Sequence, residues 1–193
     1  VAAHLALELS ERGFKTGLFD VDLFGPSVPT IFNIHEPKVY QNDAGEMIPH
    51  DENGLKLMSF GFIMKSGPAI MRGPMVAGYL QQVVQQTNWG ELDYLVLDMP
   101  PGTGDIQLSI TQLMQISGAV IVTTRQSLSL VDVEKGIEMF EKVNVPMLGV
   151  VENMSWFVCD SCDKQHYIFG DEKGTNIKER YGLETLAELP LNP

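Results

Sequence analysis

Residues 92–105, L-D-Y-L-V-L-D-M-P-P-G-T-G-D, constrain the fold of this chain more than any other stretch. Tyr94, Leu95, Val96 and Leu97 form a continuous apolar run too short for a helix, and its length suits a strand buried on both faces of a parallel sheet. The run stops at Asp98, which leaves a carboxylate at the strand's carboxyl end. Two prolines and two glycines follow at once, exclude regular structure, and bring bare backbone N–H groups to that end. Gly104 and Asp105 then lead into a helical pattern with an acidic first turn, spanning Ile106–Ile116. An acid at a strand end, a glycine turn and a helix start is the layout of a phosphate-and-magnesium site in an open α/β sheet. The competing interpretation is a Pro/Gly connection whose aspartate only caps the helix.

The rest of the chain repeats the alternation. The opening residues V-A-A-H-L-A-L-E-L-S-E-R-G read as a helix stopped by Gly13. K-T-G-L-F-D-V-D reads as a strand ending in Asp20 and Asp22, followed by the turn L-F-G-P-S-V-P. His35 to Lys56 is polar, with Asn42–Asp43 and Asn53–Gly54 as turn signals, and suggests a surface loop or short hairpin. Further strands are expected at 55–62, 118–124, 146–151 and 186–189, and further helices at 76–87, 130–143 and 175–181. In the 130–143 helix, Val133, Ile137 and Phe140 share one face. Strands alternating with helices predict a doubly wound α/β fold with a mostly parallel sheet. The expected organisation is a single domain over residues 1–193, with a cysteine-containing loop insertion near 156–170.

A helix at the very start, with no strand or turn before it, predicts a fragment truncated ahead of Val1. A net charge of -12 over 193 residues argues against nucleic-acid binding, because neutralising phosphates needs clustered Lys and Arg. It argues equally against a basic membrane-surface helix. No apolar run approaches the roughly 20 residues needed to span a bilayer.

The two cysteines, Cys159 and Cys162, stand in one C-D-S-C. That spacing lets two thiolates face one metal, but a tetrahedral site or cubane cluster needs four ligands. A twofold dimer in which each subunit contributes one pair is the economical solution. Three other fates stay open: zinc held by both cysteines, His166 and a nearby Asp within one chain, a redox disulfide, or no chemistry at all. His4, His35 and His50 have no patterned partner and are taken as surface or satisfied residues.

D-V-D-L-F-G-P-S, M-R-G-P-M, D-M-P-P-G-T-G-D, V-P-M-L-G-V-V-E-N-M-S, C-D-S-C and L-P-L-N-P occur in the order found in Mrp/ApbC-type iron–sulfur cluster carrier ATPases. These belong to the deviant-Walker P-loop group, together with MinD and ParA, and the resemblance covers essentially the whole chain. It implies a dimeric, ATP-dependent carrier that passes a [4Fe–4S] cluster to apoproteins. By position, Asp98 resembles the aspartate that holds a water on Mg²⁺, and Asp22 resembles the one that orients the attacking water, with Asp20 near the metal. Gly102 matches a residue whose N–H faces the γ-phosphate, and Asn153 the asparagine that reads the adenine edge. Pro190 lies where a C-terminal loop covers the base. The resemblance further implies a cluster bridging two copies through Cys159 and Cys162, in a cytoplasmic protein. A mitochondrial version would carry its targeting segment upstream of Val1.

Two departures qualify the match. The family's G-K-G-G-V-G-K-S-type phosphate loop falls just ahead of Val1, so the 193 residues alone are expected to hydrolyse no ATP. Arg125, in T-T-R-Q, stands where the family usually has proline, which questions the local loop shape. Two rival functions remain: a MinD/ParA-type positioning ATPase, and a non-enzymatic zinc-bridged dimerisation module.

Overall fold

The computed structural model describes residues 1–63, 73–102, 104–171, 175 and 177–192. Met71 and Arg72 of the M-R-G-P-M turn, Thr103 of the glycine turn, Asn176 and Pro193 lie outside the described residues. The chain divides into two compact units, one formed by Val1–Pro101 with Asp105–Leu113, the other by Gly102–Gly104 with Met114–Pro193.

The first unit is built on β1 (Thr16–Asp20), reached from α1 (Ala2–Glu11) through Gly13, whose φ of 90° only a glycine adopts freely. The short α2 (Val28–Ile31) follows, then the hairpin β2 (Tyr40–Gln41) with β3 (Met47–Ile48). A second antiparallel pair, β4 (His50–Glu52) with β5 (Leu55–Ser59), turns at Asn53 and Gly54, both with positive φ. The polar 35–56 stretch is therefore two hairpins, and its second strand joins the main sheet. The predicted 55–62 strand stops at Ser59 because Phe60 opens α3 (Phe60–Ile63). Next come α4 (Gly73–Gln86), β6 (Tyr94–Asp98) and α5 (Asp105–Leu113). The sheet order is β4-β5-β1-β6, with β1 parallel to both β5 and β6.

Every residue of β1 is buried, as expected for a strand covered on both faces. Leu18 packs in a cluster with Ala3 and Ala6 of α1 and Val28. Phe19 points the other way, into a chain of rings with Phe60 and Trp89, and Phe60 continues to Tyr79 of α4. Burying side chains of this size contributes about 1.5–3 kcal/mol each. Trp89 comes so near the strand that a Cβ on Gly17 would sit 2.9 Å from its ring. Strand β6 departs from expectation. It is the edge of this sheet, Tyr94 is exposed and residues 95–98 are only half-buried.

The second unit is a parallel three-stranded sheet of order β11-β8-β7, from β7 (Ala119–Thr123), β8 (Met147–Glu152) and β11 (Thr185–Glu188). Helix α6 (Ser127–Lys142) lays Val133 and Ile137 against Ile121 and Val150, and Phe140 packs at the rim of the same cluster, so the predicted face is the buried one. Between β8 and β11 come the antiparallel hairpin β9 (Phe157–Val158) with β10 (Gln165–His166), and α7 (Ile177–Tyr181), which adds Ile177 to that core. The architecture is α/β with mostly parallel pairing.

Candidate functional site

Register places the acids of the first unit. Asp20 pairs with Ser59 on one side and with Asp98 on the other, so three polar side chains line the carboxyl edge of β5, β1 and β6. Asp20 is buried and its carboxylate is fully engaged. Oδ1 accepts from the Asp22 N–H, and Oδ2 accepts from the Ser27 and Val28 N–H groups at 2.8 and 3.0 Å and from Ser59 Oγ. Both oxygens are engaged, Oδ2 three times and Oδ1 once. Asp20 thus fixes the L-F-G-P-S turn and the start of α2. Asp22 is half-buried and closes an Asx-type turn, with Oδ1 accepting from the Phe24 and Gly25 N–H groups, both at 3.0 Å. Burial pushes the Asp98 carboxyl up from its ordinary range, and the negative charges of Asp20 and Asp22 push it further. These acids are close enough to feel one another, and together they make a corner of hard oxygen donors.

Beyond Asp98 the loop is held from below. Gln107, buried on α5, donates through Nε2 to the carbonyls of Pro100 and Pro101 at 3.0 and 3.2 Å. Gly102 has φ +88°, and nothing lies within 4 Å of where a Cβ would stand. Nothing in periodicity singled out Gln107. A glutamine on the apolar side of the helix directly after a Pro/Gly loop was the available signal.

In the second unit, β8 delivers E-N-M-S. The Asn153 N–H donates to Thr123 O at 2.7 Å, while its side-chain amide makes no hydrogen bond among the described residues. The C-terminal segment is laced to the same strand end: Leu189 N–H donates to Glu152 O, Ser155 N–H to Leu189 O, and Leu191 N–H to Trp156 O. Asn153 and Pro190 therefore belong to one stitched lip.

Beneath that lip lies a buried ion pair that the sequence did not announce. Arg125 Nε donates to Glu152 Oε2 at 2.8 Å, and both side chains are about 2% exposed or less. A second nitrogen reaches Glu188 at 2.8 Å, a third the Asp171 carbonyl at 2.9 Å, and the guanidinium stacks over Tyr167. Glu152 Oε1 accepts from the Thr175 N–H and hydroxyl. Burial alone would raise the Glu152 carboxyl, but Thr175 and Arg125 more than offset it and hold it below the usual range. At the position where the resembling family usually has proline, this chain ties three segments together.

The cysteines sit on the tip of the β9–β10 hairpin. The Cys159 N–H donates to Lys164 O and the Asp163 N–H to Cys159 O, with Asp163 at φ 55°, so the C-D-S-C turn is a closed knuckle. Hydrogen bonds from the Ser161 N–H, and then from the Cys162 thiol and N–H, pull the Cys159 thiol below its ordinary value. Both thiols are free, and the ligand atoms of Cys159, Cys162 and His166 all lie within 4.8 Å of one another. The first unit thus assembles Asp20, Asp22 and Asp98. The second assembles Asn153 with Pro190, and Cys159 with Cys162.

A family model for ParA-type NUBPL iron-transfer P-loop NTPases matches residues 1–193. The chain belongs to that family. An iron–sulfur cluster carrier protein of Aquifex aeolicus is 46% identical over all of this chain, which spans 54% of that protein's length. The iron–sulfur cluster transfer protein NUBPL of Dictyostelium discoideum is 45% identical over 99% of the chain and 60% of its own length. An Archaeoglobus fulgidus nucleotide-binding protein, solved in complex with ADP, is 37% identical with a TM-score of 0.82, covering 99% of this chain and 75% of that one. The septum site-determining protein MinD of Pyrococcus horikoshii shares the fold alone, at 16% identity and a TM-score of 0.66, covering 100% of this chain and 75% of its own. No helix among the described residues is long and apolar enough to cross a membrane.

Proposed function

We propose that the protein is a nucleotide-dependent carrier that takes up a [4Fe–4S] cluster on Cys159 and Cys162 and passes it to apoproteins. The observation that carries this reading is the preformed C-D-S-C knuckle, with a thiol already pulled toward thiolate, in a chain of the NUBPL family. One chain offers two thiolates, so a cubane bridges two copies and the working form is a homodimer. An exposed hairpin tip suits a cargo that has to leave again.

For the nucleotide, Asp98 and Asp22 are the carboxylates for Mg²⁺ and for the attacking water. Their oxygens fit a hard cation, and both the burial that raises Asp98 and the repulsion from Asp20 and Asp22 that adds to it are what a bound cation would relieve. When bound, Mg²⁺ neutralises charge on the transferring phosphoryl group. Asp20 holds the turn that carries Asp22, and Gly102, where a Cβ would meet open space, lets the backbone approach the γ-phosphate. The Asn153 amide reads the base under Pro190. Hydrolysis of ATP requires the family's phosphate loop in the same polypeptide.

The test is anaerobic reconstitution of the full-length protein with iron and sulfide. One cluster per dimer is expected, lost in Cys159→Ala. Iron and sulfide retained unchanged in that variant would sink the reading.

A further inference from the structure

We infer that Arg125 is a positioning residue that joins the base lip at Asn153 and Pro190 to the thiol hairpin, so that a nucleotide under the lip sets how firmly the hairpin is held. The inference rests on the nucleotide reading above and is independent of what the cysteines carry.

The β9–β10 hairpin has two feet, and both stand on one network. Its incoming strand leaves the lip itself. The Ser155 N–H donates to Leu189 O at 2.9 Å and the Leu191 N–H to Trp156 O at 2.7 Å, just before Phe157 opens β9. Its outgoing strand runs onto Arg125. The guanidinium carbon lies 5.2 Å from the centre of the Tyr167 ring, and Nη1 donates to the Asp171 carbonyl. Between those two contacts, Gly170 lies flat on the same residue: a Cβ there would collide with the Arg125 side chain and come within 3.0 Å of its carbonyl oxygen.

On the other side Arg125 holds the lip at two points of unequal strength. Its Nε is paired with Glu152, and burial makes that pair hard to part. The Glu152 carbonyl accepts from the Leu189 N–H, and Asn153 is the next residue. Nη2 reaches Glu188, directly before Leu189, and there the carboxylate side chain is 45% exposed. Water can take the place of Arg125 at Glu188, so this contact has a made and a broken state. A base under Pro190 holds 188–191 down and keeps Glu188 on Arg125, which fixes the plane on which Tyr167 rests. With the lip open, Glu188 turns to solvent, the guanidinium swings on its Glu152 bond, and the outgoing foot loosens. A contact that both sites bias is the physical requirement for coupling them.

The test is hydrogen exchange of the full-length protein with and without ADP, read by mass in peptides covering 157–167, where the Cys159 and Asp163 N–H groups are bonded within the hairpin. ADP should slow exchange there by about fivefold or more, the low end of ordinary coupling between sites. Glu188→Gln and Tyr167→Leu both leave the Arg125–Glu152 pair in place, so the fold is kept. Each should bring the ratio of free to bound exchange rates close to unity while ADP still binds. Tyr167→Phe keeps the ring face and should keep the parent ratio. A purely structural role would speed exchange equally with and without ADP and leave the ratio unchanged in the variants. That result would overturn the proposal, as would a parent hairpin that does not respond to bound ADP, and in both cases the nucleotide reading stands. Full-length protein that binds no ADP would bring down that reading and this inference together.

Discussion

Asp20 and Asp98 are register partners on adjacent parallel strands, side by side at the carboxyl edge of the first unit, one accepting four hydrogen bonds and the other with its charge opposed by burial and by its acidic neighbours. The asymmetry gives a pH prediction. The folded-state pKa of Asp98 is raised, so the fold prefers the protonated carboxyl; stability on this account is greatest at low pH and is lost as pH rises through the folded value. Asp98→Asn should therefore melt higher than the parent at pH 7, with the difference shrinking toward pH 4. Thermal melts at the two pH values check it, and a lower melting temperature for the variant at pH 7 would contradict it.

The Asp20 oxygens structure the following turn through four hydrogen bonds. Asp20→Ala strands the buried Val28 N–H and Ser59 hydroxyl and should cost about 2–4 kcal/mol. Asp20→Asn keeps one acceptor oxygen and should cost less. Urea denaturation measures both.

Removing Arg125 leaves Glu152 buried without its partner. Arg125→Ala should destabilise by about 3–5 kcal/mol, whereas replacing both residues with methionine should cost much less than the single change. Arg125→Lys keeps the charge but cannot reach Glu152, Glu188 and the Asp171 carbonyl together, so it should recover only part of the loss. A double-mutant cycle from denaturant melts tests the set.

The hairpin thiol offers a chemical readout. In the metal-free protein, Cys159 should be alkylated with an apparent pKa below the roughly 8.5 of a free cysteine. Ser161→Pro deletes the first N–H donor to its sulfur and should move that midpoint back up, so that less thiolate is present at a given pH. Iodoacetamide rates across pH, read by peptide mass, provide the measurement.

The local devices were legible. Acids ending apolar runs at Asp20 and Asp98, the glycine and proline loops after them, the Val133/Ile137 face of α6 and the C-D-S-C pair all follow from neighbours in sequence, which backbone stereochemistry couples directly. Boundaries slipped where tertiary packing intervened, as at Ser59, where the strand ends so that Phe60 can join the ring cluster.

Sequence by itself determined the alternation of strands and helices, the carboxylates at strand ends and the thiol spacing, because each depends on a short repeat or a turn residue. Only the tertiary structure decided that Asp20 gathers four hydrogen bonds while burial and its neighbours oppose the charge of Asp98, that Arg125 pairs with Glu152 and Glu188, and that His166 returns to the cysteines. Those relationships join residues from separate turns and strands. Sheet register and burial fix them, and neither is written into the spacing of any one segment.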